Sequence, residues 1–114
     1  MRLLFVCSRN RLRSPTAEQV FAAVPGFEAR SAGTARDAET RLTAGLIAWA
    51  DVILVMEPHH RGRMTREFPR AVRGKRVVCL AIPDDYEYMD EGLVRLLWER
   101  VPLSVPGLSQ RPEP

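Results

Sequence analysis

The chain has 114 residues, 46% of them hydrophobic and 27% charged, with a formal net charge of +3. That length holds one hydrophobic core, which excludes two domains, and that composition excludes a disordered chain. No apolar run reaches the ~18 residues of a membrane span, and Leu3 to Val6 is shorter than the ~7 to 15 residues of a signal core, so a membrane partner is not expected.

The apolar run Leu3 to Val6 ends at Cys7 and reads as a buried strand. Ser14-Pro15 reads as a helix start, with Ser14 as the cap and proline at the first helical position. Ala17, Val20, Phe21 and Val24 give that helix one apolar face, and Pro25-Gly26 stops it. Phe27 to Ser31 alternates as an edge strand does, and SAGT, Ser31 to Thr34, follows as a turn. Leu42, Leu46 and Trp49 predict a helix over residues 37–49, and DVILVM, Asp51 to Met56, a strand covered on both faces. The polar stretch Glu57 to Phe68 reads as a helix with a solvated, arginine-rich face, on which His59 and His60 are expected at the surface. Lys75 to Pro83 predicts a fourth strand; Leu93, Leu96, Leu97 and Val101 mark a last helix, with Trp49 and Trp98 as core residues. The domain is thus expected over residues 1–101, with 102–114 a loose, proline-rich tail.

Strands alternating with helices predict an α/β fold of three layers, a four-stranded parallel sheet with helices on both faces. In such sheets the ligand lies beyond the carboxyl ends of the strands, where the strand order reverses. Cys7 and the pair Asp84-Asp85 follow two such ends and could share one crevice.

The loop from Cys7 to Ser14 carries the chemistry. Backbone N–H groups between a strand end and a helix start can curl around a tetrahedral oxyanion, aided by the helix amino terminus. Helix termini and cations favour a thiolate over a thiol, which makes Cys7 a candidate nucleophile. Arg13 could return across the loop and grip two phosphate oxygens in a planar fork, and Ser14 could hydrogen-bond the thiolate. Either Asp84 or Asp85 could protonate a leaving oxygen.

The stretch FVCSRNRLRSPTAEQVF resembles the phosphate loop and first helix of low-molecular-weight protein tyrosine phosphatases, and SAGT, DVILVM and IPDDY (Ile82 to Tyr86) continue the likeness in order. The resemblance implies a cysteine-dependent phosphatase working through a phosphocysteine, with protein phosphotyrosine as substrate. It implies Cys7 as nucleophile, Arg13 as phosphate grip, Asn10 as the residue shaping the loop, and Ser14 as partner of the thiolate. On that reading Ser8, Arg9, Asn10, Arg11, Leu12, Arg13 and Ser14 are expected to form the phosphate site and Asp84 to be the general acid, and Tyr86 and Tyr88 could line a substrate wall. No metal and no other cofactor is implied. The expected partners are a phosphorylated protein or a small phosphate ester, with phosphate or sulfate as a bound anion.

Five departures from the family pattern stand out. Leu12 occupies the place of a second loop cysteine, and Arg9 and Arg11 replace small or apolar residues. Ala35-Arg36 stands where an aromatic is usual, Glu57 replaces an aspartate, and Asp85 takes the place of a proline. An arsenate reductase would need resolving thiols, and Cys79 alone is a poor supply. A phospho-ligand or RNA-binding module with the same anion cradle is the other reading, motivated by sixteen arginines against one lysine, Lys75, although nucleic acid is the less favoured partner. Two cysteines in separate apolar runs suit a reducing, cytoplasmic setting and no zinc site.

Overall fold

The computed structural model describes residues 1–108. Along the chain it places β1 (Arg2–Cys7), α1 (Arg13–Ala22), β2 (Glu28–Gly33), α2 (Ala44–Trp49), β3 (Val52–Val55) and α3 (Pro58–Glu67). There follow β4 (Arg76–Cys79), α4 (Glu91–Arg100) and a 3-10 turn, Val101–Leu103. The strands are all parallel in the order β2-β1-β3-β4, as the alternating pattern predicts. The chain moves outward from β1 to β2 and then back across to β3, so the order reverses at the carboxyl end of β1. A crevice opens at such a reversal because the following connections leave on opposite faces.

Alternation along β1 feeds two cores. Leu3, Phe5 and Cys7 point to the layer of α1 and α4, where they meet Phe21, Leu93 and Leu97. Leu4 and Val6 point to the opposite layer, against Ile47 of α2 and Met64 of α3. Trp98 tilts on Phe21 at 4.7 Å, while Trp49 flanks the second core with the Arg30 guanidinium 4.6 Å from its ring.

Several boundaries differ from the sequence expectation. Ser14 does not cap α1: Leu12 is the cap residue, without a side-chain bond, and Ser14 lies inside the first turn with its hydroxyl turned to Cys7. Most of SAGT is strand rather than turn, since Ser31, Ala32 and Gly33 pair with Phe5, Val6 and Cys7. Residues 37–43 are not helical, because Thr40 and Leu42 bond to Gly33 on the neighbouring strand and Thr43 caps a helix that begins only at Ala44. The packed unit also extends past residue 101: Val105 and Leu108 are buried in the α1/α4 core. Residues 109–114 of the expected tail lie outside the described residues. Among those described, no helix is long and apolar enough to cross a membrane.

Candidate active site

At the end of β1, Cys7 is only 3% exposed, with its Sγ at the floor of a cleft of about 530 Å³. Cys7, Ser8, Arg9, Arg11, Leu12, Arg13 and Asp84 line this cleft. The loop owes its shape to where its carbonyls go. Those of Cys7, Ser8 and Arg9 turn outward to accept the N–H groups of Thr34, Ala35 and Glu39 at 2.9–3.0 Å, and that of Leu12 accepts Thr16 N–H in the first turn of α1. The N–H groups of Ser8 to Arg13, by contrast, donate to no acceptor among the described residues. A run of uncommitted donors at a helix start can serve as an anion nest.

Asn10 closes the curl. Its φ of 57° puts it in the left-handed region, which asparagine tolerates better than most residues. Its side chain donates to Ser14 Oγ at 3.0 Å and Ser31 Oγ at 2.8 Å, and accepts Thr40 N–H at 3.1 Å. Ser31 Oγ in turn donates to Glu18 Oε1 at 2.6 Å. Because Ser14 Oγ accepts from Asn10, its hydrogen is left for Cys7 Sγ, 2.9 Å away, a bond that favours the thiolate. Gly33 fits against the back of the loop. A Cβ there would press on the Ser8 carbonyl oxygen and lie 2.6 Å from Ala38 Cβ.

Arg13 is 3% exposed and held on several sides. Its Nη1 donates to the Glu57 carboxylate and, at 2.8 Å, to the Ile82 carbonyl. The opposite edge, with Nε 3.6 Å from Asp84 Oδ1, is the one left to fork onto an anion. Glu57 is also the cap of α3, accepting the His60 N–H while its own N–H donates to His60 Nδ1. Burial pushes the Glu57 carboxyl upward, but the Arg13 hydrogen bond and charge, helped by the histidines, hold it below the usual range. His60 is fully buried, contrary to the surface position expected from the sequence; its Nε2 reaches Ser8 Oγ at 2.9 Å. His59 does lie outside, beside Glu57.

The segment after β4 brings Asp84 over the cleft from the far side. Asp85 is exposed and does not line it. Arg100 clamps the root of this segment through the Leu80 carbonyl, at 2.7 Å, and the Ala81 carbonyl, while Ala81 takes a left-handed φ of 55°. The expected tyrosine wall is not at the cleft: Tyr86 packs half-buried on the α1/α4 core, and Tyr88 is exposed beyond it. Arg9 and Arg11 stand at the mouth, loosely paired with Asp37 at 3.9 Å and Glu39 at 3.7 Å, too exposed for those pairs to hold them firmly.

The same fold occurs in known structures. The chain is similar to the tyrosine phosphatase Wzb from Escherichia coli K30 in complex with phosphate, at 26% identity over 87% of this chain and 91% of that one, with a TM-score of 0.68. Vibrio vulnificus Wzb in complex with benzylphosphonate matches at 28% identity over 83% and 88%, with a TM-score of 0.66. The chain is similar in fold and in loop sequence to the low-molecular-weight protein tyrosine phosphatases. YwlE arginine phosphatase from Geobacillus stearothermophilus shares the fold at 24% identity, a TM-score of 0.64 and 90% and 93% coverage. No family model and no curated protein sequence matches the chain.

Within the family pattern, the second loop cysteine is Leu12, whose side chain stands at the cleft instead of a thiol. Cys79 flanks the core on the other face of the sheet from Cys7, so the fold offers Cys7 no nearby resolving thiol, which weighs against the arsenate reductase reading. Sequence reasoning missed Glu57 and His60 as neighbours of the loop. The available signal was the spacing of His60, Met64 and Phe68, an i, i+4, i+8 stripe that turns the histidine inward with two apolar residues.

Proposed function

We propose that this chain is a cysteine-dependent phosphatase that hydrolyses phosphate monoesters, protein phosphotyrosine among them, through a phosphocysteine intermediate. The observation that carries the proposal is the set of uncommitted N–H groups from Ser8 to Arg13 surrounding Cys7, with the free edge of Arg13 beside them. In the first step Cys7 Sγ attacks phosphorus, the bond to the ester oxygen breaks, and Asp84 gives that oxygen a proton. In the second, Asp84 takes a proton from water as the water attacks phosphorus, and the phosphorus–sulfur bond breaks. Cys7 leaves as a thiolate steadied by the Ser14 hydroxyl. Charge on the equatorial oxygens is met by the loop N–H groups and the Arg13 fork. The position of Asp84 in the cleft lining, with Asp85 outside it, supports assigning the acid to Asp84.

The phosphotyrosine part rests on the tyrosine phosphatase Wzb of 26% identity rather than on an aromatic wall. Turnover of p-nitrophenyl phosphate should disappear in Cys7→Ser, and Asp84→Asn should slow phenyl phosphate far more than p-nitrophenyl phosphate. Undiminished turnover by Cys7→Ser would refute the mechanism. A phosphoserine peptide cleaved as fast as a phosphotyrosine peptide would remove the substrate assignment while leaving the chemistry.

A further inference from the structure

His60 is buried on a helix of mostly exposed residues, and both of its ring nitrogens are committed. Nδ1 accepts the Glu57 N–H at 3.0 Å, so it carries no proton, and the single N–H of the neutral ring lies on Nε2. That N–H donates to Ser8 Oγ at 2.9 Å. The helix cap thus sets the tautomer, and the tautomer sets the direction of the second bond. Ser8 directly follows Cys7 and opens the run of uncommitted N–H groups. The other half of the same cap, the Glu57 carboxylate, holds Arg13. One turn of α3 therefore touches both parts of the anion site, the loop through His60 and the guanidinium through Glu57.

We infer that His60 is a positioning residue that fixes the phosphate loop in its anion-binding shape through Ser8, a role that rests on the phosphatase reading of this cleft. Without the bond, the Ser8 end of the loop is free to rotate its N–H away from the anion while the Asn10 end stays anchored. The effect is on oxyanion binding and on the transition state together, not on the attacking thiolate.

Two substitutions separate the functions of the ring. His60→Gln keeps a donor at the Nε2 position and loses the cap acceptor; His60→Asn keeps an acceptor at the Nδ1 position and loses the donor to Ser8. Affinity for inorganic phosphate, measured calorimetrically, should fall about 5- to 20-fold in His60→Asn and in Ser8→Ala, the scale of one buried hydrogen bond. The pair Ser8→Ala/His60→Asn should lose little more than either alone. His60→Gln should bind phosphate within about twofold of wild type even with a lowered melting temperature. In an active wild type, kcat/KM should follow the same order. Unchanged affinity in Ser8→Ala, multiplied losses in the double variant, or the reverse order of Gln and Asn would each overturn the role. Absence of turnover with the predicted pattern of phosphate affinities would instead sink the phosphatase reading and leave the positioning role standing.

Discussion

Mild acid should loosen this protein through one residue. His60 is held at a pKa of about 4 against an ordinary 6.5, first by burial, then by the His59 and Arg13 charges, with Glu57 opposing. The geometry agrees, since a second ring proton would sit on Nδ1, facing the Glu57 N–H it now accepts. The unfolded chain binds this proton at higher pH than the folded one, so stability rises with pH between the two values. It is complete above about 6.5, falls as the pH drops towards about 4, and changes no further through His60 below that. At about 1.36 kcal/mol per unit, the full loss is roughly 3 kcal/mol, of which about 2 kcal/mol is gone by pH 5. Glu57 has the opposite charge logic: its lowered pKa adds stability above 4.5 that is lost below it, so measurements kept above pH 5 isolate the histidine. Urea unfolding at pH 7.5, 6 and 5 is the assay, with His60→Gln as the reference that has nothing to titrate. Wild type should lose about 2 kcal/mol more than the variant over that range. Equal losses in the two proteins would refute the assignment.

Gly33→Ala should cost about 1 to 3 kcal/mol, because its Cβ would meet the Ser8 carbonyl and Ala38 at the back of the loop; an unchanged thermal midpoint would show that the contact relaxes freely. Asn10→Gly keeps the left-handed backbone and removes three hydrogen bonds, whereas Asn10→Ala adds strain to the same loss; denaturant titration should rank alanine below glycine by about 1 kcal/mol. Arg13→Lys should lower kcat/KM on an aryl phosphate by roughly a hundredfold or more, since one ammonium cannot hold Glu57, the Ile82 carbonyl and a bidentate anion together. A loss under threefold would show that Arg13 does not grip the transition state.

Much of the site is legible in the sequence because it is local. Cys7, Asn10, Arg13 and Ser14 lie within eight consecutive residues running from the end of β1 into the first turn of α1, and that placement between a strand and a helix is what points to an oxyanion cradle. The sheet is legible for a related reason: four apolar runs separated by helical periods leave few topologies for a chain of this length. Where local signals competed with distant partners, they misled. Ser14 has the chemistry of a cap, but Cys7 and Asn10 take its hydroxyl from across the loop. Leu42 fits a helical stripe with Leu46 and Trp49, yet its N–H is claimed by Gly33, so the stretch before Thr43 is not helical. Tyr86 follows the acid loop in sequence and is drawn into the core instead of the cleft.

By itself, then, the sequence determined the parallel α/β layering and brought forward the Cys7 loop and two carboxylates as candidates for the site. Only the tertiary structure decided which carboxylate faces the cleft, that Glu57 and Ile82 orient Arg13, and that a histidine in a polar helix is buried beneath the loop. The physical reason is range. Propensity and periodicity act over a few residues, whereas Ser8 and His60 are 52 positions apart and Arg13 and Ile82 are 69 apart, joined only once the strands have chosen their order.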